Sequence, residues 1–164
     1  MNYKTELPLV ILAGGLGSRL KNVYGSYPKI LKPLGNKIFL DYFLDNVFNI
    51  GFKNLIFILQ NEKELIHNNI LDRNNDRFFI KVLTDGENRL GTAGSIIKNL
   101  SILPDRFWVT YGDTLLNLEI EKMEKKFIDS KKDLFISVIE KEKVKHLPNL
   151  LINNKVEEYS KTKN

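Results

Sequence analysis

Five short runs rich in β-branched and aromatic residues punctuate the chain: Leu9–Leu12, Asn54–Leu59, Phe78–Leu83, Arg106–Tyr111 and Leu134–Ile139. Each has the length and bounding residues of a buried strand. Leu9–Leu12 could be strand or buried helix by periodicity alone, but Val10, Ile11 and the flanking Pro8 and Gly14-Gly15 favour the strand. Between the runs lie stretches with helical spacing. Phe39–Ile50 repeats Phe39, Leu40, Phe43, Leu44, Val47 and Ile50 on one face, with Gly51 placed for a C-terminal cap. Lys63–Leu71 and Leu118–Ser130 also read as helices, as does Gly91 to about Leu103, ended by Pro104. Leu150–Ile152 and Val156–Tyr159 flank Asn153-Asn154-Lys155 and read as a hairpin. Strands alternating with helices predict an α/β chain with a mostly parallel, doubly wound sheet in three layers.

Bulk properties narrow the classes further. A length of 164 residues predicts one domain, and an apolar fraction of 43% suffices for a core. Absence of cysteine excludes disulfide frameworks, thiolate zinc sites and cysteine nucleophiles. No run approaches the ~20 apolar residues of a membrane span and no leader-like segment opens the chain, so a cytoplasmic protein without a membrane partner is expected. The net charge of +5 comes from lysines interspersed with acids, as in Glu140–Lys145. A polyanionic small substrate accounts for that sign more simply than nucleic acid, so no nucleic-acid partner is expected.

The chemistry concentrates after the first strand. Gly14, Gly15 and Gly17 allow a sharp turn whose exposed N–H groups form an anion-binding concavity, with the Arg19 guanidinium at its mouth. A Walker A loop would require Lys and then Ser or Thr after the last glycine, where this chain reads Ser18-Arg19. A dinucleotide fingerprint would require a helix opening from the turn, whereas Pro28 and Pro33 forbid a continuous helix here. The segment from Gly14 to about Asn36 is therefore expected to be largely loop, with Lys29 able to swing a second cation over the same site. In a parallel sheet, ligands gather at the strand carboxyl ends. That rule selects Gly14, Asp85–Glu87 and Gly112-Asp113. Asp113 is placed to hold a hard cation such as Mg²⁺ or to satisfy local turn N–H groups, and its position alone leaves both open. Thr92, near the start of a predicted helix, reads locally as a cap. His67 and His146 lie apart without companions, while Phe78, Phe79, Phe107 and Trp108 read as core.

Leu12-Ala13-Gly14-Gly15-Leu16-Gly17-Ser18-Arg19-Leu20, followed by Pro28-Lys29 and Lys32-Pro33, closely resembles the opening signature of the sugar-1-phosphate nucleotidyltransferases. Gly91-Thr92-Ala93-Gly94 and Tyr111-Gly112-Asp113 resemble that family's two later motifs, in the same order. The likeness is greatest to the bacterial heptose-1-phosphate guanylyltransferase and glucose-1-phosphate cytidylyltransferase type. It implies a Rossmann-like nucleotidyltransferase fold and transfer from a nucleoside triphosphate to a sugar 1-phosphate, giving an NDP-sugar and pyrophosphate. A non-catalytic nucleotide- or sugar-phosphate-binding paralogue is the alternative.

The resemblance also implies roles. Leu12, Ala13, Gly14, Gly15, Gly17, Ser18 and Arg19 would hold the nucleotide phosphates, and Gly91, Thr92 and Gly112 would shape the pocket. Glu87 would read the base edge. Arg19, Lys29 and Asp113 would be catalytic, with Lys29 stabilising charge at the α-phosphate and Asp113 holding Mg²⁺. Lys161 matches a family lysine that meets the sugar phosphate, although Ser160 stands where the family keeps an acid. The family's second acidic metal ligand and further sugar-pocket strands have no counterpart here. The resemblance leaves base, sugar and homo-oligomerisation open.

Overall fold

The computed structural model describes residues 3–13, 28–60, 64–86, 90–140, 143, 150–153 and 155–159. In chain order the elements are β1 (Leu9–Leu12), a 3-10 turn at Lys29–Leu31, β2 (Pro33–Leu34), β3 (Lys37–Ile38) and α1 (Phe39–Asn49). There follow β4 (Asn54–Leu59), α2 (Glu64–Leu71), β5 (Phe79–Thr84), α3 (Gly91–Lys98), β6 (Trp108–Tyr111), α4 (Ile120–Ser130), β7 (Leu150–Asn153) and β8 (Lys155–Tyr159). Internal contacts divide the chain into two units, Met1–Lys126 and Phe127–Asn164.

In the first unit, β5, β4, β1 and β6 lie side by side in that order, and every pairing is parallel. The doubly wound α/β expectation is thus met. Because strand side chains alternate, Leu9 and Ile11 enter one core with Leu55, Phe57, α1 and α2, whereas Val10 joins a second core with Ile56, Ile58 and Leu103. That two-sided burial explains why β1 and β4 read as unbroken apolar runs. On the larger face, the Phe43 and Phe57 rings meet edge to face at 6.5 Å.

Local chemistry fixes the helix ends. The Ile38 N–H donates to the Asp41 carboxylate at 3.2 Å, satisfying a group at the start of α1. After α1, Gly51 adopts φ +115°, and a Cβ there would lie 2.5 Å from the Tyr3 carbonyl oxygen. Only glycine fits this close approach, through which the Thr5 N–H reaches the Gly51 carbonyl at 3.1 Å. α3 ends earlier than the apolar pattern implies. The Asn99 amide turns back to the Ser95 carbonyl at 2.9 Å, and the chain continues in turns to Pro104. β6 starts at Trp108 rather than Arg106, since its first ladder bond runs from the Trp108 N–H to the Pro8 carbonyl, just before β1.

Glu124, on the face of α4 shared with Ile120, is buried. It accepts hydrogen bonds from the Tyr3 and Thr5 hydroxyls and, at 3.0 Å, from Trp108 Nε1. One carboxylate therefore ties α4 to the N-terminal segment and to β6. The Glu124 carboxylate also pushes the Tyr3 phenol up to about 12. On α1, Asp45 pairs with Lys37 and Arg77, each at 3.0 Å. The Lys37 hydrogen bond, followed by that of Arg77, holds the Asp45 carboxyl below its usual range despite opposing burial.

In the second unit, the Phe127 and Phe135 rings stand 6.4 Å apart and tilted. β7 and β8 form the expected hairpin, with Leu150 opposite Tyr159 and Asn153 opposite Lys155. Leu134–Ile139 is not the fifth strand its composition suggests. It pairs with no strand among the described residues, and Leu134 and Ile139 are 72% and 64% exposed. Apolar β-formers make a strand only where a ladder and a covering layer meet them. Phe79 likewise departs from the expected core position and is 69% exposed, because it occupies the outer face of edge strand β5 while Phe78 enters the core.

Replacing Glu124 by Leu leaves three donors without their acceptor and should cost about 2–4 kcal/mol. Urea unfolding followed by emission of Trp108, the only tryptophan, measures this; a loss under about 0.5 kcal/mol would contradict the assignment. Asp45→Asn should cost about 0.5 kcal/mol at pH 7, discounted for the exposure of the pair. Since its folded pKa is depressed, that contribution is present above the ordinary Asp value and is lost as pH falls through the lower, folded one. The wild-type and variant stability curves should therefore converge once pH has fallen below that lower, folded value.

Candidate active site

The sheet order places β1 between β4, reached through α1, and β6, which arrives from the other direction. This change of winding direction leaves a crevice at the carboxyl ends of β1 and β6. The chain reaches it at Leu12 and Ala13, whose backbone is held on both sides. The Ala13 N–H donates to the Ile58 carbonyl at 3.1 Å, and the Leu12 carbonyl accepts the Gly112 N–H at 3.0 Å. At Gly112, a Cβ would lie 3.0 Å from the Ala13 Cβ and 3.3 Å from Ile11 Cγ2. Glycine here lets the two strand ends close on each other, and it delivers Asp113 beside the point where the Gly14–Arg19 segment begins.

Asp113 and Lys29, 84 positions apart in sequence, meet at 2.6 Å between Oδ2 and Nζ. Pro28 precedes the short 3-10 turn that presents Lys29, while Ile30 and Leu31 anchor that turn in the core. The other Asp113 oxygen accepts from the Thr114 hydroxyl at 3.3 Å. The pair is about half exposed, at 42% and 46%. The segment containing Lys29 is also more ordered than a loop. Besides the 3-10 turn, Pro33–Leu34 and Lys37–Ile38 form a small antiparallel hairpin.

The third predicted motif joins the same edge. Tyr111, the last residue of β6, sets its hydroxyl 3.3 Å from Thr92 Oγ1 in the first turn of α3. Thr92 is therefore not a helix cap: the cap position is Leu90, which contributes no side-chain bond. At the end of β5, the buried Asp85 accepts the Ser95 hydroxyl of α3 on one carboxylate oxygen, while its other oxygen is buried and has no hydrogen-bond partner among the described residues. Lys98 Nζ binds the Asp85 carbonyl at 2.7 Å. The sequence marks Asp85 as a strand-end residue; its tie to Ser95 could be suspected only from an acid at the end of one element facing a hydroxyl in the next.

Leu12, Ala13, Lys29, Gly112 and Asp113 are thus linked directly, and Thr92 is reached through Tyr111; Gly91 opens the same helix. Gly14, Gly15, Gly17, Ser18, Arg19, Glu87 and Lys161 lie outside the described residues. Among the described residues no cluster of three or more His, Asp or Glu side chains could hold a metal ion. A single, partly exposed Asp113 carboxylate is a donor set that suits Mg²⁺, which binds through one or two carboxylates and completes its shell with water and substrate phosphate. The ammonium already seated on Asp113 shows that this carboxylate accepts a cation in direct contact.

Gly112→Ala should force the β1 and β6 ends apart by a few tenths of an ångström and cost about 1–2 kcal/mol. Denaturant unfolding reads the cost, and a neutral substitution would show that the close approach at Ala13 is dispensable.

A family model described as nucleotidyl transferase matches residues 9–147. The D-glycero-alpha-D-manno-heptose 1-phosphate guanylyltransferase of Campylobacter jejuni is 30% identical over 116 residues, covering 70% of this chain and 51% of that protein. The enzyme of the same name from Aneurinibacillus thermoaerophilus is 31% identical over 130 residues, covering 79% and 56% respectively. The structure of HddC from Yersinia pseudotuberculosis complexed with GMP-PN superposes with a TM-score of 0.64 at 29% identity, over 75% of this chain and 55% of that one. The chain spans about half the length of these relatives. This chain, with a parallel sheet that brings Lys29 and Asp113 together at the ends of β1 and β6 and a family model matching residues 9–147, belongs to the nucleotidyl transferase family.

Proposed function

We propose that this chain carries the nucleotide-handling part of a sugar-1-phosphate nucleotidyltransferase, which joins a nucleoside triphosphate to a sugar 1-phosphate with release of pyrophosphate. The observation that carries this reading is the contact of Lys29 with Asp113 at the β1–β6 crevice, next to the residues from which the glycine segment departs. Family membership and the guanylyltransferase relatives support it.

In this reading the Gly14–Arg19 segment and the Arg19 guanidinium hold the β- and γ-phosphates, which leave as pyrophosphate. Asp113 holds Mg²⁺, which would supply charge neutralisation at the nucleotide phosphates when bound. Lys29 stabilises negative charge developing at the α-phosphate, and Lys161 meets the sugar phosphate. No general base is required, because a sugar 1-phosphate has its second pKa near about 6 and is largely dianionic at neutral pH. The task of the protein is to hold two polyanions in line against their repulsion, and such transfers are catalysed mainly by positioning and charge neutralisation. Thr92 and Tyr111 then form one wall of the nucleotide pocket, and Glu87 reads the base edge. A cytoplasmic location and a role in nucleotide-sugar supply for polysaccharide synthesis accord with this chemistry, and no described helix is long and apolar enough to cross a membrane.

The test is pyrophosphate release with Mg²⁺, four nucleoside triphosphates and a panel of sugar 1-phosphates. Release with at least one pair is expected. Nucleotide binding without release from any pair would instead favour a binding module. Lys29→Met should keep the fold and lower kcat by about 100-fold or more, the scale of losing one stabilising group at a transferring centre; full activity in that variant would remove Lys29 from the mechanism.

A further inference from the structure

The Lys29–Asp113 contact carries a consequence for the order in which the site is loaded. Among the described residues Asp113 has two side-chain partners: Lys29 Nζ lies at 2.6 Å from Oδ2, and the neutral Thr114 hydroxyl reaches Oδ1 at 3.3 Å. An ammonium 2.6 Å from Oδ2 and a divalent cation bound to the same carboxylate repel each other at close range, so the two compete for Asp113. Lys29 is also held on a short tether. Pro28 precedes it, and the buried Ile30 and Leu31 fix the turn behind it. Its backbone stays in place, and only the flexible four-carbon stem can swing.

We propose that Lys29 is a built-in competitor for the cation position on Asp113, so that metal binding and release of the Lys29 ammonium are one exchange, favoured when a nucleotide triphosphate arrives with the metal. This inference rests on the proposed metal role of Asp113. The charge balance is direct. A divalent ion alone must displace a paired ammonium and leave it near another cation, which is unfavourable. A metal–triphosphate complex displaces it equally but offers the freed ammonium phosphate oxygens to pair with. The two cases differ in sign with respect to Lys29: the lysine opposes metal alone and assists metal with nucleotide. The chain would thereby bind free metal weakly and the metal–nucleotide complex well, and the lysine needed at the phosphate is released only when a phosphate is present.

Mn²⁺ binding, read by electron paramagnetic resonance of the free ion, tests this without any turnover. Lys29→Met should bind Mn²⁺ alone at least about threefold more tightly than wild type, the scale of an exposed ion pair together with removal of one nearby charge. The same variant should bind Mn²⁺ in the presence of GTP more weakly than wild type. Lys37→Met removes an equal charge from a pair of similar exposure on Asp45 and should change neither. Unchanged or weaker Mn²⁺ binding by Lys29→Met, or an equal gain in Lys37→Met, overturns the exchange. Asp113→Asn separates the two levels. If it binds Mn²⁺ as wild type does, the metal role of Asp113 fails and the exchange with it. If it loses Mn²⁺ while Lys29→Met gains nothing, only the exchange fails. Retained thermal unfolding of each variant establishes that the comparison is between folded proteins.

Discussion

The double pairing of β1 sets everything else in place. Leu9, Val10, Ile11 and Leu12 are held by parallel ladders to β4 on one side and β6 on the other, and their side chains fill two separate cores. A strand fixed in this way has almost no freedom at its carboxyl end, where the last ladder bonds close on Ala13 and Gly112. The chemistry begins at that end. The proposed phosphate role of the glycine segment needs a rigid departure point, and the end of β1 is one. Here the buried Leu9, Val10 and Ile11 side chains each contribute on the order of 1.5–3 kcal/mol to hold that point still.

From this anchor the electrostatics of the crevice follow. A cation from the segment after β1 and an anion from the end of β6 are brought into contact although neither is buried. Such a pair contributes little to stability, about 0.2–1 kcal/mol. Its value is therefore not structural, in contrast to Glu124, whose buried carboxylate gathers three donors and fastens α4 to the sheet. One acid is exposed, weakly bonded and at the strand ends; the other is buried, fully engaged and remote from them. The fold separates its stabilising carboxylate from the one proposed to act in the site.

Much of this was legible in the sequence. The apolar runs gave β1 and β4 with their bounds, and the strand-end rule placed Gly112-Asp113 beside the end of β1. What pattern could not give was side-chain company. Leu134–Ile139 has strand composition, yet no ladder receives it among the described residues, and composition cannot say whether a partner exists. Phe79 looks like core because period-2 reading does not tell a covered face from the outer face of an edge strand. Thr92 reads as a cap from its sequence position, but the cap position is Leu90, two residues earlier, and the Thr92 hydroxyl turns to Tyr111 instead. Glu124 carried a faint signal, an acid on the apolar face of α4 four residues after Ile120. In each case the missing information was a contact between segments distant in sequence.

The central claim is that one crevice, formed where β1 and β6 end, receives the nucleotide. Backbone amide NMR spectra of the isotopically labelled chain, recorded as GTP and Mg²⁺ are added, address it residue by residue. The account predicts that the largest shifts fall on the amides of Ala13 through Arg19, Gly91–Thr92 and Tyr111–Thr114. Saturable shifts confined instead to the groove lined by Tyr3, Ile50 and Leu118, or to the β5 edge around Phe79 and Lys81, would contradict it.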